Sequence, residues 1–410
     1  MHLQQILRLS CPSPDKKHWF LPIYFIALIC YHAIILIQQH SQNGGIPIDA
    51  QFEAEQFTHT LRALYQQYGY VHYSMSHFEP YELYVRNKDY LASERMIVFT
   101  DLNGALMALK PDVTISIIKN TAAEPGTVQK LYYTENVYRA DAKAGAFREI
   151  LQTGLECIGE IDAYQLCEVL LLAAKSLEAT GREFVLDLSH LGLVSGMLEA
   201  AGVPEGARPE LMRLIRDKNL PAVQQRGRAL GCDETLLTTL VTVYGPLPLV
   251  LPQLRALCRN GAMAQALYEL ECIYPALDAA GLSDRVRLDF SVMSDLRYYN
   301  GIIFQGFLRD VSAAVLSGGQ YDQLMRKMDK TDRAVGFAVY LDQLETLDTH
   351  ERGYDADVLL LYPSDAAPQT LARAVQRIAA QGKRVCAQRR QPTRGRYREI
   401  IRLEDWRDEP

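Results

Sequence analysis

At 410 residues, with 48% hydrophobic and 22% charged residues, the chain has the composition of an ordinary soluble globular protein. Its length suits two or three domains, since a single core seldom grows beyond about 250–300 residues. A formal net charge of -6 argues against a surface that grips nucleic acid by neutralising phosphates, although a local basic patch can hide inside an acidic total. The eight cysteines form no Cys-x-x-Cys pair, which suits a reducing compartment with neither a disulfide framework nor a zinc site; no metal and no cofactor is implied.

The N-terminus is the anomaly. From Trp19 to Ile37 the chain carries no Asp, Glu, Lys or Arg, and Lys16 and Lys17 stand just before it. That length approaches the roughly 20 apolar residues that span a bilayer, with the basic flank on the cytoplasmic side. The following HSQNGG lacks a small-residue cleavage site, which disfavours a secretory signal. Two readings stay open for residues 1–45: a membrane anchor, or an atypical extension on a cytoplasmic protein. The soluble character of everything after residue 46 favours the second.

Residues 50–68 have helical spacing in Phe52, Phe57, Leu61, Leu64 and Tyr65, and Tyr70–Ser74 is strand-like. The segments 97–101 and 105–109 alternate around Asn103-Gly104, a two-residue hairpin signal. A second hairpin pairs 130–139 with 147–156 around the loop 140–146. Residues 163–180 predict a helix and 183–188 a strand. From about 205 to 282 the pattern is helical throughout, as an inserted unit. Strands are expected at 286–290, 299–308 and 312–316. Gly318-Gly319 is then expected to open a short helix, and 335–346 to turn from strand into helix. After Gly353, the segments 357–362, 368–381 and 384–387 form a small β-α-β unit, and the polar tail 388–410 has little to bury. Hairpins interleaved with helices predict an α+β fold, an antiparallel sheet flanked by helices. No glycine-rich phosphate loop appears, which disfavours a Rossmann or P-loop nucleotide site.

Four segments together resemble the histidyl-tRNA synthetase family of class II synthetases. They are ALKPDVT (108–114), the hairpin VYRADAKAGAFREILQTGLECIG (137–159) similar to motif 2, RYYNGIIFQGF (297–307) with LSGGQYDQL (316–324), and AVGFAVYLDQL (334–344) similar to motif 3. The resemblance implies a class II synthetase-like domain over residues 46–346 and a short C-terminal unit over 354–410. It also implies a histidine pocket. Free histidine needs a carboxylate for its ammonium and polar partners at its ring nitrogens. By resemblance Asp112, Thr114, Gln152 and Glu156 hold the amino-acid end, Tyr299 and Tyr321 bracket the imidazole, Tyr298 belongs to the same histidine-binding set, and Arg139 and Arg148 sit nearby on the hairpin. The alternative is that Gln152 and Glu156 are simply exposed strand residues and the tyrosines are core.

Adenylation asks for more, because positive charge must offset the α-phosphate in the transition state and guanidinium groups suit that task. Here the chain departs from the family. Motif 3 ends in Asp342-Gln343 where the synthetase has Glu-Arg, Ala142 and Ala146 stand where arginines are common, and Ser294 stands where the enzyme has arginine. Losing one transition-state donor often costs about 10²–10³ in rate, so these losses together predict no histidine activation. The proline expected before Phe78-Glu79 is missing from motif 1. Fewer than 60 residues follow Gly353, too few for the family's anticodon domain, so no tRNA partner is expected.

A synthetase-like chain, shortened and stripped of catalytic arginines, resembles the regulatory subunits of ATP phosphoribosyltransferase. That likeness implies a non-catalytic role in the first step of histidine biosynthesis. It also implies a short-form catalytic subunit as partner, L-histidine as feedback ligand, and a homodimer within a hetero-oligomer. The competing functions are a diverged but active histidyl-tRNA synthetase, a membrane-anchored histidine-binding module, and a scaffold without ligand.

Overall fold

The computed structural model describes residues 48–91, 95–141, 145–293, 299–345, 354–393 and 395–405. The segment 19–37 lies outside them; among the described residues no helix is long and apolar enough to cross a membrane. The chain falls into two units, residues 1–51 and 52–410, and the fold below is that of the second.

Helix α1 (Ile48–Gln67) buries Leu61 and Tyr65, whose hydroxyl meets Ser176 Oγ at 3.0 Å. It leads into β1 (Val71–His72), β2 (Phe78–Pro80), α2 (Tyr81–Arg86), β3 (Val98–Thr100), β4 (Leu106–Leu109) and α3 (Thr114–Asn120). The long hairpin β5 (Val128–Asp141) and β6 (Ala146–Gly159) follows. Helix α4 (Ala163–Glu178) opens on a capping box, in which Asp162 accepts from Tyr164 N and Gln165 N while Gln165 accepts from Asp162 N; this satisfies amides that a helix start would leave bare. Strand β7 (Phe184–His190) precedes α5 (Leu191–Ala200), α6 (Arg208–Arg216), α7 (Leu220–Leu230), α8 (Glu234–Thr242), the short β8 (Tyr244–Pro246), α9 (Leu247–Ala256) and α10 (Gly261–Ala279). Then come β9 (Val286–Asp289), β10 (Ile302–Leu308), β11 (Leu316–Gln320), α11 (Asp322–Lys327), β12 (Arg333–Tyr340) and α12 (Leu341–Glu345).

Nine strands form one sheet in the order β1-β5-β6-β12-β11-β10-β7-β9-β8. It is antiparallel except where β1 joins β5 and β7 joins β9. One face packs on α4, α5 and the helices between β7 and β9, in a core that includes Leu166, Val169, Leu188, Leu267 and Val335. The other carries a second core around Tyr84, Ile115, Ile118, Tyr133 and Tyr321, beneath α3. Strands β2, β4 and β3 form a separate small sheet. Its β3–β4 hairpin forms at Asn103-Gly104, but with a three-residue loop, 102–104, instead of the expected two: Asp101 N donates to Ala105 O at 2.9 Å, Gly104 takes the positive φ of 83, and Asp101 Oδ1 accepts from Asn103 N and Ala105 N at 2.8 Å each. A third, parallel sheet, β14-β13-β15, is built from β13 (Ala356–Leu361), α13 (Pro368–Ala380), β14 (Val385–Gln388) and β15 (Tyr397–Arg402).

Four further details differ from the sequence expectations. The strand expected at 312–316 starts only at Leu316 and runs to Gln320. Gly318 and Gly319 lie inside β11 instead of opening a helix, because a Cβ at Gly318 would lie 2.7 Å from Phe304 Cζ and one at Gly319 2.6 Å from Tyr299 Cδ1; the glycines admit rings. The helical stretch contains β8, where Tyr244 pairs with Asp289 and receives Lys218 and Arg287 over its ring. The tail is not idle either, since β15 adds a strand and Ile401 packs against Val358 and Leu360 under α13.

Candidate functional site

Strand alternation places Gln152, Gly154 and Glu156 on one face of β6. Cross-strand register sets Glu156 against Gly336 of β12, and Gly336 against Gly319 of β11. Two paired glycines therefore form a floor. A Cβ at Gly336 would overlap Glu156 Oε2 and lie 2.5 Å from Leu155 O, so only glycine there leaves room for the carboxylate. Above this floor a cleft of about 390 Å³ opens, lined by Asp112, Thr114, Arg139, Gln152, Glu156, Tyr299 and Tyr321, with Tyr133, Ser317, Gly336, Ala338, Tyr340 and the turn Asp89–Leu91 around them.

Each polar group has a reason for its pose. Thr114 begins α3 and donates to Glu156 Oε1 at 2.7 Å, while the Tyr321 hydroxyl donates to Oε2 at 2.5 Å. Asp112 precedes that helix and accepts from Ile115 N at 3.0 Å. Arg139 anchors the same segment, donating to Pro111 O at 2.9 Å with its guanidinium 3.8 Å from Asp112. Behind it, fully buried Lys110 pairs with Glu135 at 2.5 Å. Gln152 is 3% exposed and its Nε2 has no partner, a buried donor turned toward the cleft without an acceptor.

Burial dominates the electrostatics. It pushes the Glu156 carboxyl from 4.5 up to about 8, against the hydrogen bonds from Tyr321 and Thr114, with the charge of Asp112 raising it further. Burial raises Asp112 too, opposed first by Arg139. The Tyr133 and Tyr299 hydroxyls are held well above their ordinary range, again by burial, and remain neutral hydrogen-bonding groups. The site thus brings together two carboxyls, Glu156 and Asp112, a buried amide donor without an acceptor, and aromatic walls. Those are features that accommodate an ammonium-bearing, ring-bearing small molecule.

Not every residue expected at the site arrives there. Arg148 stands opposite Arg139 in the hairpin register and four residues, about 13 Å of strand, from Gln152. Its half-exposed guanidinium lies 3.5 Å from Asp342 Oδ2 instead of in the cleft. Gln343 donates to the same oxygen at 3.0 Å. Tyr298, Ser294 and Ala142 lie outside the described residues, and Ala146 pairs with Asp141 at the hairpin end. Tyr133, Tyr340 and Gly336 were not anticipated. Their signal was present in the strand alternation, since Tyr133 faces Gly154, and Gly336, Ala338 and Tyr340 fall on one side of β12. Among the described residues no group of three or more His, Cys, Asp or Glu could hold a metal.

The sequence model of the histidyl-tRNA synthetase family matches residues 47–344. An ATP phosphoribosyltransferase regulatory subunit of Alkaliphilus metalliredigens is 29% identical over 285 residues, 67% of this chain and 72% of that one. A crystal structure described as an ATP phosphoribosyltransferase regulatory subunit/histidyl-tRNA synthetase, from Bacillus halodurans, superposes with a TM-score of 0.72 at 23% identity, covering 87% of this chain and 96% of that chain. A chain of an ATP phosphoribosyl transferase complex from Thermotoga maritima gives 0.57 at 18% identity, covering 70% of this chain and 97% of its own length.

Proposed function

The chain belongs to the histidyl-tRNA synthetase family, and from that premise we propose that it binds histidine without activating it. In this proposal it serves as the regulatory subunit of an ATP phosphoribosyltransferase. The observation that carries the proposal is the contrast between the two ends of the inherited site. At the amino-acid end Glu156, Thr114, Tyr321 and Gln152 converge on one cleft. At the polyphosphate end Arg148 is drawn to Asp342, and Gln343 turns back onto the same carboxylate. A transition state with pentavalent phosphorus needs preorganised positive charge; here an acidic group takes up the guanidinium.

The names of the similar proteins support the partner, a short-form catalytic subunit that condenses ATP with phosphoribosyl pyrophosphate. Histidine can act as feedback ligand only if it binds two states of the assembly with different affinity, and a buried pocket on this chain supplies a place for that difference. A homodimer within the hetero-oligomer is supported by the small sheet β2-β4-β3, which exposes Phe78, Val98, Phe99 and Leu106 together with Leu102 at its turn; contiguous apolar surface of this kind marks interfaces.

The test is reconstitution. A short-form ATP phosphoribosyltransferase chain is assayed alone, with this chain, and with this chain plus histidine. Activity is expected to need both chains and to fall on adding histidine, and Glu156→Ala should abolish the fall but not the activation. Histidine-dependent ATP–pyrophosphate exchange by this chain alone would overturn the proposal in favour of a diverged but active synthetase.

A further inference from the structure

Directly after each of the two ligand-facing tyrosines stands a polar residue that points elsewhere. Tyr299 is followed by Asn300, and Tyr321 lies between Gln320 and Asp322. Asn300 Nδ2 donates to Asp322 Oδ2 at 3.1 Å and Gln320 Nε2 donates to the same oxygen at 2.8 Å. Arg333 Nε also reaches Oδ2, at 3.3 Å, and Ala334 N donates to Oδ1 at 3.0 Å. One buried carboxylate therefore gathers donors from the chain after Tyr299, from β11 and from β12. Backbone bonds close the same junction, Asn300 N to Gln320 O at 3.0 Å and Tyr321 N to Ala334 O at 2.9 Å. The amide groups are committed to this task, for Asn300 Oδ1 and Gln320 Oε1 are buried without partners. A Cβ at Gly301 would overlap Gln320 Oε1, so the glycine after Asn300 is what lets the amide sit there.

The cluster does not end at the sheet. Arg333 shares the face of β12 that carries Val335, the face packed on α4, and donates to Ile161 O at 2.8 Å before that helix.

We infer that Asp322 is a positioning residue for the histidine pocket, fixing Tyr299 and Tyr321 from behind. Through Arg333, which donates to Ile161 O, the same carboxylate connects pocket occupancy to the start of helix α4. The inference rests on the pocket binding histidine, as proposed above. Asp322 touches no ligand; it sets the relative position of the two strands whose tyrosines do. A buried carboxylate that collects several donors has one well-defined arrangement, and a shift of either tyrosine must break it or move it as a unit.

The experiment compares wild type with the near-isosteric Asp322→Asn, and with Arg333→Gln and Arg333→Lys, by calorimetric histidine titration and by amide hydrogen exchange with and without histidine. Asp322→Asn turns an acceptor toward three donors into a donor. It is expected to weaken histidine at least about tenfold and to speed exchange at the amides of Asn300, Tyr321 and Ala334 by a similar factor even without ligand. Arg333→Gln should keep histidine affinity within about threefold but lose the histidine-induced protection of the first-turn amides of α4, and Arg333→Lys, which keeps the charge, should restore part of it. A purely structural Asp322 would lower the melting temperature and leave affinity and the α4 response intact, which overturns the inference. If wild type binds no histidine, the pocket assignment fails. The ligand-free exchange then decides the positioning role alone, and unchanged rates at those three amides in Asp322→Asn overturn it.

Discussion

Replacing Glu156 by glutamine keeps the shape of the side chain while removing its charge, and the structure says how large the consequence is. Burial pushes this carboxyl up to about 8 from 4.5. A folded-state pKa above the unfolded one favours the protonated folded form. Stability is therefore fully present below pH 4.5, falls as pH rises, and reaches its lower plateau above pH 8. The slope is about 1.4 kcal/mol per pH unit, with an upper bound of roughly 5 kcal/mol across the interval. Glu156→Gln removes that dependence, so it should gain on wild type from pH 5 to about pH 8 and then hold a constant difference. Histidine binding carries the same signature. The ammonium requires the ionised carboxylate, so each histidine bound at pH 7 should expel about one proton, and affinity should rise about fivefold between pH 7 and 8. In Glu156→Gln the proton release should vanish and affinity fall by about 10² or more, the consequence of removing one partner of a buried charge pair. Calorimetry in two buffers of different ionisation heat counts the protons. Histidine binding to wild type with no proton release and the same affinity at pH 7 and 8 would refute the reasoning.

Other perturbations test the frame around that carboxyl. Gly336→Ala should cost about 1–3 kcal/mol, because a Cβ there overlaps Glu156 Oε2 and meets the Leu155 carbonyl at 2.5 Å; thermal unfolding measures the loss and titration the accompanying loss of histidine. Lys110→Met leaves Glu135 buried without its ion partner, and should lower stability by about 3–5 kcal/mol in denaturant unfolding. Placing aspartate at Phe99 of the exposed small sheet should shift the chain toward a monomer in light scattering, with the fold retained by circular dichroism.

The sequence was most legible where local chemistry decides structure. Asn103-Gly104 sets its hairpin, Asp162 with Gln165 caps α4, and the alternation Gln152–Gly154–Glu156 selects the face that meets the cleft. It was least legible where a residue's role depends on a partner far along the chain. Gly318-Gly319 resembles the start of a helix by local rule. Inside β11 the pair instead makes room for Phe304 and Tyr299, contacts no local pattern contains. Arg148 was expected at the pocket from its place on the hairpin, yet the length of β6 carries it beyond Gln152 and Asp342 takes its charge. Tyr397–Arg402 reads as polar tail until Ile401 finds Val358 and Leu360 across a parallel sheet.

The two ends of the cleft differ in what their loss would do to the fold, and this bears on how far a retained pocket argues for a retained ligand. Gly336, Tyr321 and Tyr133 are packed into strands and core, so replacing them destabilises the protein whatever it binds. Arg148 and the residues around Asp342 and Gln343 are partly exposed, and their replacement changes stability little. A synthetase fold that abandons adenylation would therefore shed the second set quickly and keep much of the first through packing alone. What packing does not reward is the stronger evidence. A leucine at Gln152 would spare the fold an unpartnered buried amide, and a glutamine at Glu156 would spare it a carboxyl that burial disfavours in its charged form. Both residues carry a folding penalty that an ammonium and a ligand acceptor would remove, and a protein without such a ligand has no physical reason to keep them.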